Sequence, residues 1–421
     1  MAVSSCGKLA GMKEKQPPRG RLTKRKQGKA AAPVVRGFKY FRLVGTLLQT
    51  LHDEGTARDR AGNRQLFYDQ YTTLLLLYFF TPTVTSLRGL QQVSTLTKVQ
   101  QHWGIPRTAL STLSEASTVF DAALLQDVIN ELALRAWTRT PPGNPTVRDR
   151  EQELLRDVVA IDGSLLPALP RMVWALWQDD QHRAAKMHVA FAALRQVPVG
   201  VTVTPGNGAE RAQARQLVHP GGFYVFDRGY VDYELFAQWH ALPCSFIARV
   251  QNTVAYEVAQ ERPLSVAARA AGVTSDVVLQ RLGTAHHRPC AAQPLRVVRV
   301  TTDKRHKDGT PIELVLVTNR LDLDAELIAL AYRYRWTVEL FFRWFKCILG
   351  CRHLLSHSEN GVQIQVYMAL IASLLISLWV GRAPTKRTYE MLCFYLSGWA
   401  STREVISHLE RLSLSAPPGK K

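Results

Sequence analysis

The sequence predicts an α/β core preceded by an all-α N-terminal domain and followed by C-terminal helices, on three observations. From Phe38 to about Trp137, apolar residues recur every three or four positions, the period of helices with one buried face. After the Pro141–Pro145 stretch, Pro-Pro-Gly-Asn-Pro, short apolar runs alternate with helical patterns, as in strand–helix units. With 46% hydrophobic and 9% aromatic residues over 421 positions, the chain can fill a large core, so any disorder is local.

Residues 1–37 read as a disordered basic arm: ten Lys and Arg lie between Met1 and Arg36 against one acid, Glu14. The arm thus carries +9 of the formal net charge of +19, and the rest of the chain remains basic by about +10. Such a charge repels itself unless a polyanion neutralises it, so nucleic acid is the first partner expected. Residues 38–140 form the expected all-α domain, with helices at Phe41–Leu51, Leu66–Phe80, Ser86–Trp103 and Val119–Trp137. Within it, Leu90–His102, Gly104 and Arg107–Ala116 have the shape of a helix-turn-helix that reads DNA, although glycine-joined helix pairs also occur in plain bundles.

The α/β core is expected over 150–380. Its first elements are a strand Val158–Ile161, a hairpin of Met187–Leu194 with Val197–Val203, and a helix Glu210–Val218. A strand Phe223–Phe226, a helix Tyr233–His240 and a strand Ser245–Val250 follow. A β-rich interruption at about 251–319, with runs at Leu295–Thr301 and Ile312–Thr318, delays a long helix, Ala325–Leu349. The apolar run Val366–Val380 falls short of the roughly 18 residues of a spanning helix and reads as a core helix, so no membrane is expected. C-terminal helices and a tail occupy 381–421. Six cysteines without a framework spacing, and a basic N-terminus lacking the apolar stretch of a signal peptide, point to the cytoplasm.

Two aspartates, Asp162 and Asp227, directly follow short apolar strands, and each has a glycine close behind. Strand ends are where open α/β sheets place ligands, yet an Asp there is commonly only a turn or a cap. A third acid, Glu339, lies in a helix aromatic on nearly every face, where a bare charge costs several kcal/mol. Tyr332, Arg335, Glu339 and Lys346 follow at steps of three, four and seven, close to one helical stripe. Glu339 is therefore either half of a structural pair with Arg335 or a metal ligand. Three such carboxylates suit two Mg²⁺ ions, which take oxygen ligands and share substrate phosphate oxygens during in-line phosphodiester displacement.

These residues resemble the DDE transposases of bacterial insertion sequences, in the branch marked by the YREK signature, present here as Tyr332, Arg335, Glu339 and Lys346. The segments Ala160–Ser164 and Asp227–Phe236 are similar to those around the family's first and second catalytic aspartates, and the likeness spans about 150–380. It implies an RNase H-like core whose β-rich insertion precedes the helix carrying the catalytic glutamate. It further implies that Asp162, Asp227 and Glu339 are catalytic and hold two Mg²⁺ ions, with Mn²⁺ able to substitute. Cleavage at the element's terminal inverted repeats, joining to target DNA and nucleoid association follow from the same resemblance. Arg335, Tyr332 and Lys346 would contact the DNA backbone, while Trp336 would stack on an unpaired base or simply fill the core. Because two ends must be held together, a homodimer is expected in the synaptic complex. The competing readings are a catalytically silent DNA-binding descendant and an RNase H-like nuclease that cuts without joining.

Three weaker signals read as structural. Cys347, Cys351, His353 and His357 lack the Cys-x-x-Cys pair of a zinc site. Asp179-Asp180 with His182 suits a solvated loop, and Asp303 and Asp308 flank a hairpin turn whose basic residues could touch DNA.

Overall fold

A computed structural model describes residues 38–54, 62–140, 149–179, 181–283, 294–351 and 353–414. The basic arm, the Pro-rich linker, Asp180 and the tail beyond 414 lie outside the described residues.

The N-terminal helices are α1 (Phe38–Gln49), α2 (Tyr68–Phe80), α3 (Leu87–Ser94), α4 (Thr97–Trp103), α5 (Leu110–Val119) and α6 (Leu125–Arg139). The helix expected over Ser86–Trp103 is two, because the hydroxyls of Ser94 and Thr95 bond back to the carbonyls of Gln91 and Gln92 and end α3. α4 stops at Gly104, which takes the left-handed conformation, and α5 opens at Leu110 rather than Arg107. The helix expected from Val119 begins at Leu125, after Asp121 caps a short 3₁₀ turn.

After α7 (Asp149–Leu155) come β1 (Val158–Ala168), β2 (Arg183–Ala192), β3 (Val197–Pro205), α8 (Glu210–Leu217), β4 (Phe223–Phe226), α9 (Tyr233–Ala241) and β5 (Ser245–Val250). The interruption supplies β6 (Tyr256–Glu261), α10 (Val266–Ala270), β7 (Val273–Leu282), β8 (Leu295–Arg305) and β9 (Pro311–Thr318). Among the described residues the nine strands form one sheet in the order β3-β2-β1-β4-β5-β9-β8-β7-β6. Strands β1, β4 and β5 are parallel, while β2 pairs antiparallel with β1 and β3 antiparallel with β2, so β3-β2-β1-β4-β5 has the RNase H-like order. The interruption continues this sheet through β9, which pairs with β5.

Alternation along the strands separates two faces. Val158 and Val225 pack beneath α11 (Ala325–Tyr334), while Val159, Ile161, Tyr224 and Phe226 face α8 and α9 behind. The helix expected as one piece from Ala325 to Leu349 tightens at Arg335, where three-residue backbone bonds replace four-residue ones. It resumes as α12 (Trp336–Arg343) and ends in a π turn, Trp344–Ile348. α13 (Glu359–Val380) is long and apolar enough to cross a membrane by length and composition, but 94% of its apolar window is buried against α2, α5, α6 and β3. Its buried Gln365 is satisfied by the Leu355 amide and the His353 carbonyl. Asn360 ties its first turn to the carbonyls of Ser117 and Phe120. α14 (Lys386–Leu396) and α15 (Thr402–Leu414) close the chain.

Candidate active site

The register of the parallel strands brings the two aspartates together. Ile161, Phe226 and Ala248 form one row across β1, β4 and β5. One residue further on, the alternation turns Asp162, Asp227 and Arg249 to the front face, on strands spaced about 4.8 Å apart. Asp162 does not end its strand, as the sequence suggested: β1 runs on to Ala168 because its antiparallel pairing with β2 continues after its parallel pairing with β4 stops. Asp227 does end β4, and its carboxylate accepts from the Arg228 amide at 2.8 Å. Arg249, 3.6 Å from Asp227, was missed in the sequence; a lone charge inside the apolar strand Ser245–Val250 was its only signal.

The helical residues meet this row from above. Arg335 donates from Nη1 to Asp162 Oδ2 at 2.6 Å and from Nη2 to Glu339 Oε1 at 2.7 Å, so one guanidinium bridges two of the acids. Its Nε is buried without a hydrogen-bond partner among the described residues. Tyr332 Oη donates to Asp227 Oδ1 at 3.2 Å, and Lys346 Nζ donates to Ser164 Oγ at 2.9 Å, two residues along the same strand face as Asp162. The structural pair between Arg335 and Glu339 therefore exists and extends to Asp162. Trp336 is not a core residue: it is 36% exposed, and its ring lies 4.6 Å from Lys304 Nζ of the β8–β9 hairpin.

Burial pushes Asp162 from 3.8 up to about 6, helped by the charges of Asp227 and Glu339 and opposed by Arg335 and the Gly163 amide. Burial and then Asp227 push Tyr332 up to about 12, so its hydroxyl stays a donor. Because the folded state holds the Asp162 proton more tightly than the unfolded chain does, this group favours folding below pH about 4. That contribution fades as pH rises through about 6. In EDTA at neutral pH, Asp162→Asn is thus expected to melt above the wild type, by up to about 3 kcal/mol in stability, with the gap closing near pH 4. A lower melting temperature for the variant at neutral pH would contradict this balance of charges.

Among the described residues, no group of three His, Cys, Asp or Glu is drawn together round one metal position, neither these acids nor Cys347 and its neighbours. The donor set nevertheless fits a hard divalent cation: carboxylate oxygens from adjacent strands and a facing helix, with a guanidinium now lying between two of them. Of the other weak signals, Asp303 lies in β8, and Asp179, His182 and Asp308 in turns or bends. Asp179 holds His182, and Asp308 holds Thr310 at the tip of the β8–β9 hairpin.

An RNase H-like sheet that presents two aspartates in one row, with a glutamate on a facing helix, defines a class of α/β protein with an acidic site on one face of its central strands. The transposase DDE domain family matches residues 153–375, and the chain belongs to that family. It is 28% identical over 219 residues to a Sinorhizobium fredii protein named as the transposase y4zB, covering 52% of this chain and 59% of that protein. It is 30% identical over 228 residues to a Geobacillus stearothermophilus protein named as the transposase for insertion sequence element IS5377, covering 53% and 56% respectively. The matched region thus spans under three fifths of each of these relatives. A Synechocystis protein named as the transposase for insertion sequence element IS4SA is 21% identical over 275 residues, covering 64% of this chain and 72% of that protein. Among solved structures, the cryo-EM piggyBac transposase synaptic complex with hairpin DNA superposes with a TM-score of 0.45 at 10% identity, over 92% of this chain and 87% of that one.

Proposed function

We propose that the chain is the transposase of an insertion sequence, binding the terminal inverted repeats, cleaving at the element's ends and joining them to target DNA. The observation that carries this reading is the row of Asp162 and Asp227 facing Glu339, all within the stretch matched by the DDE family. Asp162, Asp227 and Glu339 would hold two Mg²⁺ ions, or Mn²⁺, which when bound supply the charge that activates a water or 3′-hydroxyl and stabilises the leaving oxygen.

The chain's own residues do the rest. Arg335 bridges Asp162 and Glu339 through Nη1 and Nη2, and its Nε, without a partner among the described residues, would be a donor for an end phosphate. Tyr332 keeps its proton and donates it to Asp227, orienting that carboxylate, while Lys346 anchors near Ser164 and adds a phosphate contact with its remaining donors. The exposed Trp336 ring offers a stacking surface for an unpaired base, once Lys304 exchanges it for a phosphate. The basic arm and the α4–α5 pair would grip the repeat, and two copies would hold the two ends.

The test is a cleavage and strand-transfer assay on DNA carrying the ends of the element that encodes the chain, in Mg²⁺, Mn²⁺ and EDTA. Metal-dependent cutting and joining is expected. Cutting without joined product would establish the nuclease instead, and salt-sensitive binding without cutting the silent DNA-binding descendant.

A further inference from the structure

Beside the two aspartates, on the opposite face of the sheet, lies an open cleft of about 530 Å³, lined by Trp177, Gln178, Lys186, Asn207, Arg211 and Gly229 among others. It abuts the acids: Gly229 stands two residues after Asp227, and Lys186 Cε lies 2.9 Å from where a Cβ on Gly163, next to Asp162, would be. Resting on the transposase reading, we propose that this cleft is a subsite for one unpaired base of a DNA strand that passes the acids, with Trp177 as the stacking surface.

Trp177 is 38% exposed, and backbone hydrogen bonds tie the residues on either side of it to neighbouring segments. The Asn207 amide donates to the Leu176 carbonyl at 2.9 Å, the Gly206 amide to the Ala184 carbonyl at 2.7 Å, and the Gln178 amide to the His182 carbonyl at 3.2 Å. Gly206 makes this closeness possible, since a Cβ there would stand 2.9 Å from both the Ala184 carbonyl and Trp177 Cβ. A large aromatic ring kept at the surface by such backbone bonds offers a broad contact with few rotors to immobilise on binding.

Charge separates a base from a phosphate as the occupant. Lys186 Nζ, the more buried cation of the cleft, is paired with Glu210 Oε1 at 2.5 Å, whereas Arg211 is mostly exposed and only 3.6 Å from Asp232. What remains is an aromatic face flanked by the amide side chains of Gln178 and Asn207, each carrying donors and an acceptor suited to a base edge. The volume falls within the range of small-ligand sites and is ample for one base.

The experiment measures binding of the full chain to a duplex with a short single-stranded overhang and to the blunt duplex of the same sequence. Trp177→Ala is expected to weaken overhang binding by roughly 5- to 100-fold while leaving blunt binding near the wild type, and Trp177→Phe to restore most of the loss. Matching melting curves show that the variants are folded. Equal losses on both duplexes, or no loss, overturn the subsite while the transposase reading stands on the cleavage assay. A wild type that binds neither duplex and does not cleave overturns both.

Discussion

Replacing Glu339 with glutamine is expected to abolish metal-dependent cleavage of end-containing DNA, by roughly 1,000-fold or more, while DNA binding persists. The glutamine keeps an acceptor at the same length, so Arg335 retains its Nη2 bond and α12 its place over β1. What disappears is one negative charge. The remaining carboxylates compensate a divalent cation less well, and Arg335, relieved of a full counter-charge, becomes freer for phosphate. Binding in a gel-shift assay should therefore stay level or tighten slightly as cutting vanishes. Asp162→Ala and Asp227→Ala should lose cleavage likewise. Cleavage surviving in any of the three would remove that residue from the catalytic set.

The largest stability effect is expected away from the site, in Asp276→Ala. Arg296 is 1% exposed, and Asp276 accepts from its Nε and Nη2, both at 2.6 Å. Arg296 Nη1 also donates to the Leu323 carbonyl at 2.5 Å, just before α11 begins. The pair thus ties β7 and β8 to the turn that launches the helix leading to Arg335 and Glu339. Removing the carboxylate strands a buried guanidinium, at a cost of about 3–5 kcal/mol. A urea titration should show this as a large fall in midpoint. Glu257→Ala, which removes the half-exposed partner of Arg281, should cost at most about 1 kcal/mol. A midpoint for Asp276→Ala close to that of Glu257→Ala would mean that the buried pair contributes little.

Some of the site was legible because local chemistry encodes it. Apolar runs ending in acids, and the spacing of Tyr332, Arg335, Glu339 and Lys346, are properties of neighbouring residues, and strand β4 lies where its run of apolar residues placed it. Broken helices were harder to see. Hydroxyl back-bonding at Ser94 and the tightening at Arg335 compete with helix periodicity without disturbing the apolar pattern.

By itself, the sequence determined the alternation of elements, the basic charge and the residues that resemble a DDE site, since each depends on residue type and short-range spacing. Only the tertiary structure decided that Asp162, Asp227 and Arg249 stand in one row, that Arg335 bridges two acids from different elements, and that the interruption lengthens the sheet through β9. Strand register and charge pairing are set by non-local packing, in which residues as far apart as 162 and 335 meet because two faces of a sheet must each bury their own apolar side chains.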